Sequence, residues 1–463
     1  MGERVRVVKR SAKTDGGGRR VISPARRAAF EILRRVDEEG AFAAPLLANL
    51  AGELSAEDRA LCYELTLGVL RRQLWLDTAL EHFAGRKSEK LDAPVRRALR
   101  MGLFQLRFLT RIPAHAALNE SVNLAHASGL RSAAPFINAV LRRATREPDF
   151  DPSEGIADSL ERIAVKTSHP LWLVQRWAAA FGPEEAEAFA AANNASAPAC
   201  FRINTLKADA GALIEDLRAA GLVVAPSRIA HGAWRVESDE GASALLRELS
   251  RDGLIYMQDE ASQLVAHVVG ARAGERVLDA CAAPGSKTTH IAALAGGRAR
   301  ILACDLYEHR LRLIVEACAR LGASGVSMVA LNAEAGLPFA EGAFDRVLVD
   351  APCTGTGTLR HNPEIRWRLV PASFKQLQTV QARILSAASR VVGRGGRLVY
   401  STCSVEREEN EEVVEAFLRD NTDFKQTDSE PAPPELLLPS GAARTWPHRD
   451  DVDGFYVATL VKG

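Results

Sequence analysis

From about residue 260 onward, short apolar runs alternate with stretches of helical periodicity, and no other feature of the chain constrains its fold as tightly. Val277-Leu278 leads into a small-residue turn and a helix expected over 287–295. Ile301-Leu302-Ala303-Cys304-Asp305 begins another unit, with a helix over 308–321. Strands over 326–331 and 347–349, a helix near 373–391, a strand over 397–400, a helix over 408–419 and a closing strand over 454–460 complete the pattern. Strands of unbroken apolar character are buried on both faces, and their alternation with helices implies a doubly wound α/β sheet. Such a sheet holds its ligands beyond the carboxyl ends of its strands, so chemistry is expected there.

Three strand ends carry motifs. The first is Asp279-Ala280-Cys281-Ala282-Ala283-Pro284-Gly285-Ser286-Lys287-Thr288. Small residues let a backbone approach a ligand closely, and the helix that follows offers free N–H groups. A dinucleotide fingerprint needs three spaced glycines, and a P-loop needs two ahead of its lysine, one of them immediately before it; neither pattern is present. A methyl-donor loop suits better, because it has no phosphate to cradle. Asp305 ends the next strand, about 20 residues on, where an acid accepts ribose hydroxyls; a plain helix cap is the competing reading. The other two motifs are Asp350-Ala351-Pro352-Cys353-Thr354-Gly355-Thr356-Gly357, after Val347-Leu348-Val349, and Ser401-Thr402-Cys403-Ser404, after Val399-Tyr400.

A lone buried cysteine is usually a small core hydrophobe, and Cys62, Cys200, Cys304 and Cys318 are read so. Cys281 is read as packing or backbone contact. Two cysteines at two strand ends, with an acid and a lysine close by, suit one reaction. Carbon 5 of cytosine reacts poorly with a methyl sulfonium. A thiolate adding to carbon 6 makes the ring an enamine whose carbon 5 can attack. An acid at N3 stabilises the adduct. The carbon 5 proton must then leave and the thiol be eliminated. Asp350, Cys353, Cys403 and Lys287 together meet these needs, although spacing alone does not say which cysteine attacks.

In these motifs, and in their order, the segment from about 260 to 463 resembles the RNA cytosine-C5 methyltransferase family. The resemblance implies an α/β Rossmann-like domain over 261–463 that uses S-adenosylmethionine. It implies that Cys403 is the nucleophile and that Cys353 helps release the methylated base. Cys281, Ala282, Ala283, Pro284, Gly285, Ser286 and Lys287, with Asp305 and Asp350, would line the donor site, and Asp350 and Lys287 would also reach the base. Ser286 stands where the family commonly has a second glycine. Asn332 stands where many members place an aspartate towards the donor's adenine.

Upstream, residues 21–148 read as all helix. Ser23-Pro24 looks like a cap followed by proline at the first helical position. Val95, Leu99, Leu103 and Leu106 form an apolar stripe. Arg96, Arg100 and Arg107 fall on an adjacent face, where phosphate contact competes with a solvated face. This segment resembles the NusB-like helical RNA-binding domain joined to the bacterial 16S (small-subunit) rRNA branch of the family. Residues 149–164 read as a linker. Residues 165–260, with His169-Pro170 and Phe201-Arg202-Ile203-Asn204, read as a small α+β module resembling the one that precedes the catalytic domain in the family.

The net charge of +1 gives no whole-molecule field for RNA, so a nucleic-acid partner must meet local patches. One expected patch is a basic flexible arm over 1–20, with seven Lys or Arg against two acids. The seven cysteines are odd in number and scattered, with no CxxC pair, which implies a reducing cytoplasm and no metal. No membrane is expected, and a monomer is. The alternatives are a methyltransferase acting on tRNA or another RNA, a nicotinamide-dependent dehydrogenase, and a non-catalytic RNA-binding or antitermination-like scaffold.

Overall fold

Residues 22–237 and 242–463 are described by a computed structural model, so the basic arm expected over 1–20 lies outside the described residues. The chain divides into two units, residues 1–154 and 155–463.

Seven α-helices form the described part of the first unit: α1 Pro24–Glu39, α2 Ala43–Leu50, α3 Ala56–Arg71, α4 Gln73–Ala84, α5 Ala93–Phe108, α6 Ala114–Ala127 and α7 Ala134–Arg146. Their apolar faces share one core, which takes in Ile32, Leu65, Leu80, Leu99, Leu103 and Ile137. Ser23 precedes α1 and Pro24 opens it as expected, but the serine hydroxyl does not cap the helix. It accepts from Arg26 at 3.0 Å instead. The α5 arginines also differ from expectation. Arg100 is 6% exposed and grips Asp77 with two bonds of 2.7 and 2.6 Å. Arg107 donates to the carbonyls of Ala144, Glu147 and Pro148, closing the C-terminal end of α7. These two guanidinium groups satisfy partners inside the fold, so the structure assigns them neither to phosphate nor to a solvated face.

The second unit begins with three helices, α8 Ser159–Thr167, α9 Leu171–Phe181 and α10 Pro183–Ala192. The first starts inside the 149–164 stretch expected as a linker, capped by Asp158, which accepts the Glu161 N–H at 2.8 Å. Leu173, Trp177 and Phe189 pack on Leu359, Phe374 and Val405. These helices therefore brace the catalytic half instead of belonging to the small module alone.

The module itself is an antiparallel sheet of β1 Cys200–Ile203, β2 Val224–Pro226, β3 Ala233–Val236 and β4 Ile255–Met257, in the order β2-β3-β1-β4. The helices α11 Ala210–Ala219 and α12 Ala242–Asp252 fill the two crossovers, a split β-α-β arrangement.

Helix α13 Glu260–Val269 leads into the large sheet, whose strands are β5 Arg276–Asp279, β6 Arg300–Asp305, β7 Val326–Ala330, β8 Phe344–Asp350, β9 Val392–Thr402, β10 Phe424–Thr427, β11 Ala443–Arg444 and β12 Tyr456–Lys462. The order is β10-β12-β9-β8-β5-β6-β7, with β11 on β12. Strands β5 to β9 run parallel, while β12 is antiparallel to β9 and β10. Between strands lie α14 Ser286–Leu294, α15 Glu308–Leu321, α16 Ile365–Arg368, α17 Ala372–Arg390, α18 Glu411–Asp420 and α19 Pro447–Asp450. Successive strand residues face opposite layers. Val347, Val349, Leu398 and Tyr400 pack with Leu385 and Val413. Leu348 and Val399 pack with Leu264 and Ile291 on the other side. No helix among the described residues is long and apolar enough to cross a membrane.

Candidate active site

Neighbouring parallel strands deliver the two cysteines. Asp350, at the end of β8, is in register with Ser401 of β9, so Cys353 and Cys403 leave the sheet side by side. Their sulfurs are 3.3 Å apart and both residues are half-buried. Lys287, in the first turn of α14, reaches across from the adjoining β5 connection and places Nζ 2.7 Å from Asp350 Oδ2. The other carboxylate oxygen accepts from the Ser401 hydroxyl at 2.8 Å. One set of atoms thus joins Lys287, Asp350, Cys353 and Cys403.

Their electrostatics divide the sulfurs. The hydrogen bond from Cys353 holds the Cys403 thiol below its ordinary value; Lys287 helps, while burial, Asp350 and Glu409 oppose. Donating that bond, together with burial, pushes Cys353 well up. Burial alone would lower Lys287, but the adjacent Asp350 outweighs it and keeps the ammonium charged. Of the two sulfurs, Cys403 gives up its proton the more readily.

The small-residue loop sits beside this group. Gly285 turns it into α14 at φ +98°, and a Cβ there would lie 3.2 Å from the Ile314 backbone, so glycine lets loop and α15 meet. Cys281 is half-buried, and its thiol is pushed up by burial. The Ala282 N–H bonds the Cys304 carbonyl at 2.7 Å, while Ala283 and Ser286 are partly exposed and Pro284 exposed. Asp279 is buried and raised to about 7 by that burial. Its Oδ2 accepts from Thr288 at 2.7 Å, whereas its Oδ1 has no partner. Asp305 is also buried, and accepts the N–H groups of Ala283 and Tyr307, each at 3.2 Å. It does not cap α15, which starts at Glu308 behind Tyr307. An acid at this strand end and an orphan carboxylate oxygen beside a loop of small residues fit a nucleoside bearing a charged amino-acid tail. Asn332 is not joined to this group: it is exposed, and its side chain accepts the Glu334 N–H at 3.0 Å to head a short turn.

Glu409 has no task in the reading of the motifs. It is fully buried and accepts from the Thr354 N–H at 2.9 Å, the Ser404 hydroxyl at 2.5 Å and Gln381 at 3.0 Å, and also from the Thr354 hydroxyl. Thr354 follows Cys353 and Ser404 follows Cys403, so one carboxylate ties both cysteine loops together. The local sequence offers five glutamates between 406 and 412, without a signal that this one turns inward.

Comparison with known proteins fits this geometry. Residues 266–461 match the model described as 16S rRNA methyltransferase RsmB/F, residues 23–146 the NusB family, and residues 169–240 the ferredoxin-like domain of RsmF/B-like methyltransferases. The chain is 36% identical, over 94% of its length and 98% of the relative's, to the probable ribosomal RNA small subunit methyltransferase B of Bacillus subtilis. It is 35% identical to ribosomal RNA small subunit methyltransferase B of Pseudomonas putida, over 89% of this chain and 92% of that one. Among solved structures, the crystal structure of PH0851 aligns with a TM-score of 0.80 at 28% identity, over 96% of this chain and all of that one. A methyltransferase homolog protein from Pyrococcus horikoshii aligns at 0.59 with 30% identity, over 66% of this chain and all of that one.

Proposed function

The chain belongs to the 16S rRNA methyltransferase RsmB/F family, and from that premise we propose that it methylates carbon 5 of a cytosine in small-subunit ribosomal RNA through a bond from Cys403 to carbon 6. The observation that carries the reading is the pair of sulfurs 3.3 Å apart beside the Lys287–Asp350 pair. A dehydrogenase has no use for that pair, and a scaffold need not keep it.

Cys403, on losing its proton, adds to carbon 6 and turns carbon 5 into the nucleophile. Asp350, with Lys287 and Ser401 fixing its two oxygens, faces the ring nitrogen where charge develops. Residues 281–287 with Asp305 and Asp350 would hold S-adenosylmethionine, which would supply an electrophilic methyl group. Asn332 would reach its adenine end only after leaving its local bond. Release needs loss of the carbon 5 proton and cleavage of the carbon–sulfur bond, and Cys353 lies against the sulfur that must leave. A base stacked in a helix cannot meet Cys403, so the target is flipped or single-stranded.

Replacing Cys403 by alanine abolishes methyl transfer and leaves RNA binding intact. Replacing Cys353 by alanine accumulates a covalent RNA adduct on Cys403, visible as a shifted band on a denaturing gel. A C403A enzyme that still turns over overturns the mechanism.

A further inference from the structure

Next to Cys403 opens a cleft of about 540 Å³ whose lining includes Tyr256, Gln258, Asp259, Asn362, Asp453 and Phe455. Backbone bonds fasten this wall to the nucleophile. The Gly357 N–H donates to the Cys403 carbonyl, and the Gly454 N–H to the Gly357 carbonyl, both at 2.9 Å. A Cβ on Gly357 would stand 2.0 Å from the Gly454 carbonyl oxygen, so only glycine allows the two segments to meet. Asp453 and Phe455 flank Gly454 and are thereby set beside the sulfur.

Asp259, His361 and Asp453 present ligand atoms within 4.8 Å of one another, and none has a part in the chemistry above. Asp453 is 4% exposed, yet its Oδ1 accepts no hydrogen bond. The His361 ring stands nearby, with Nε2 3.5 Å from that oxygen. Asp259 is occupied: it accepts the Asp453 N–H at 3.2 Å and the Ala261 N–H at 2.8 Å. Burial pushes both acids up, Asp259 to about 6 with the charge of Glu260 adding, and Asp453 well up with the charges of Asp259 and Cys403 adding; Arg360 pulls against this in both. A buried acceptor without a donor is rare and costly, which points to a donor that arrives with the substrate.

The chemistry of the attack limits what that donor can be. Carbon 6 is bonded to N1 and N1 to the sugar, so a sulfur attacking carbon 6 has the target ribose beside it. Lys287 and Asp350 already occupy the base side. A pair of carboxyl groups offers a phosphate no positive charge, whereas a ribose hydroxyl is a neutral donor of the right kind, and among nucleic acids the 2′-hydroxyl belongs to RNA alone. We propose that Asp453, backed by Asp259, accepts a hydrogen bond from the 2′-hydroxyl of the target nucleotide and so selects RNA over DNA at that position. The assignment rests on Cys403 as the attacking sulfur.

The test uses the full chain and a small-subunit rRNA fragment whose methylated cytosine has first been mapped. The fragment is prepared with either cytidine or 2′-deoxycytidine at that one position. The intact enzyme is expected to lose about tenfold or more in kcat/KM on the deoxy substrate, the worth of one good hydrogen bond to a buried acid. Asp453→Ala is expected to lose a similar factor on the ribose substrate and to treat the two alike. Asp453→Asn, which keeps the shape and a weaker acceptor, is expected to fall between them. An intact enzyme that does not distinguish the substrates overturns the assignment, as does an alanine variant that still does. Tight binding of one Mn²⁺ by the intact protein, lost in D453N, would make the cluster a cation site instead. If C403A still methylates the ribose substrate, the attacking role of Cys403 fails and takes the ribose assignment with it.

Discussion

Replacing Glu409 by alanine isolates what keeps the two sulfurs together. Four donors point at this carboxylate: the Thr354 N–H and hydroxyl, the Ser404 hydroxyl and the Gln381 amide. The two hydroxyls can turn to each other, as they already lie 3.2 Å apart. Gln381 keeps its bond to the Pro352 carbonyl. The Thr354 N–H has no second acceptor among the described residues. An unpaired buried donor costs about 1–3 kcal/mol, and bonds to a charged acceptor are roughly twice as strong as neutral ones. Against that loss stands relief of a carboxylate whose burial already pushes its pKa up. The net expectation is a destabilisation of about 2 kcal/mol, read as a shift of the urea midpoint.

Activity should suffer more than stability. With the tie cut, the Cys353 and Cys403 loops move independently, and misplacing a reacting atom by about 1 Å lowers a rate about 100-fold. The loss should appear in kcat, with KM for RNA little changed, and cross-linking of the two thiols by dibromobimane should fall in parallel. Glu409→Gln separates position from charge. It restores part of the tie and removes a negative charge that raises both thiols. Alkylation of Cys403 should therefore begin at lower pH in E409Q than in the native enzyme. Native kcat and native cross-linking in E409A would refute the tethering argument.

Three further outcomes follow from buried charges. Lys287→Met leaves Asp350 without its ammonium partner; it should cost about 3 kcal/mol and most of kcat, and adding Asp350→Asn should recover the stability but not the turnover. Arg100→Ala strands Asp77 in the helical unit and should destabilise it by about 3 kcal/mol, while the salt dependence of RNA binding stays unchanged; a shallower salt slope would return this arginine to the phosphate contacts. Asp279 titrates at about 7 in the fold against an ordinary 3.8. Its protonated form is therefore the stabilising one: that contribution is fully present below about pH 4 and is lost as pH rises through about 7. Asp279→Asn, permanently neutral, should gain on the native protein across this window by up to roughly 4 kcal/mol, and parallel urea midpoints from pH 4 to 8 would count against the buried-acid account.

What could be read in the sequence was whatever is decided locally. A strand-end acid or cysteine set among glycine and proline after an apolar run is a statement about neighbours in the chain, and Asp350, Cys353, Cys403 and the 279–288 loop stand where that reading puts them. The α5 arginines and Glu409 were opaque because their partners are distant. Arg100 meets Asp77 from 23 residues away and Glu409 meets Thr354 from 55. Nothing in a helical stripe or a run of glutamates says which charge will find a buried mate. The short edge strands β10 and β11 were unreadable for a different reason: Phe424-Lys425-Gln426-Thr427 has no apolar run, and it pairs because β12 offers an open edge.

One long-range fact was nevertheless implicit. The sequence separation between Asp350 and Cys403 encodes no distance, and a register slip of one residue between β8 and β9 would turn one motif away from the other. The strands prevent that slip through their two faces. Val347 pairs with Leu398, Leu348 with Val399 and Val349 with Tyr400. The first and third pairs pack against α17 and α18, and the middle pair against α13 and α14. Tyr400 carries this further, since its hydroxyl reaches the Glu409 carbonyl at 2.5 Å and can do so only from the α17 side. A slip would drive that ring into the layer of small and aliphatic residues around Ala266 and Ala292. The side chain that fixes the register is therefore also the one that anchors the segment tying the cysteine loops, so β-pairing and sulfur separation should fail together. Tyr400→Phe keeps the ring and removes only the hydroxyl, so it should leave the fold intact while loosening the Cys353–Cys403 pair; undiminished dibromobimane cross-linking in Y400F would break that link.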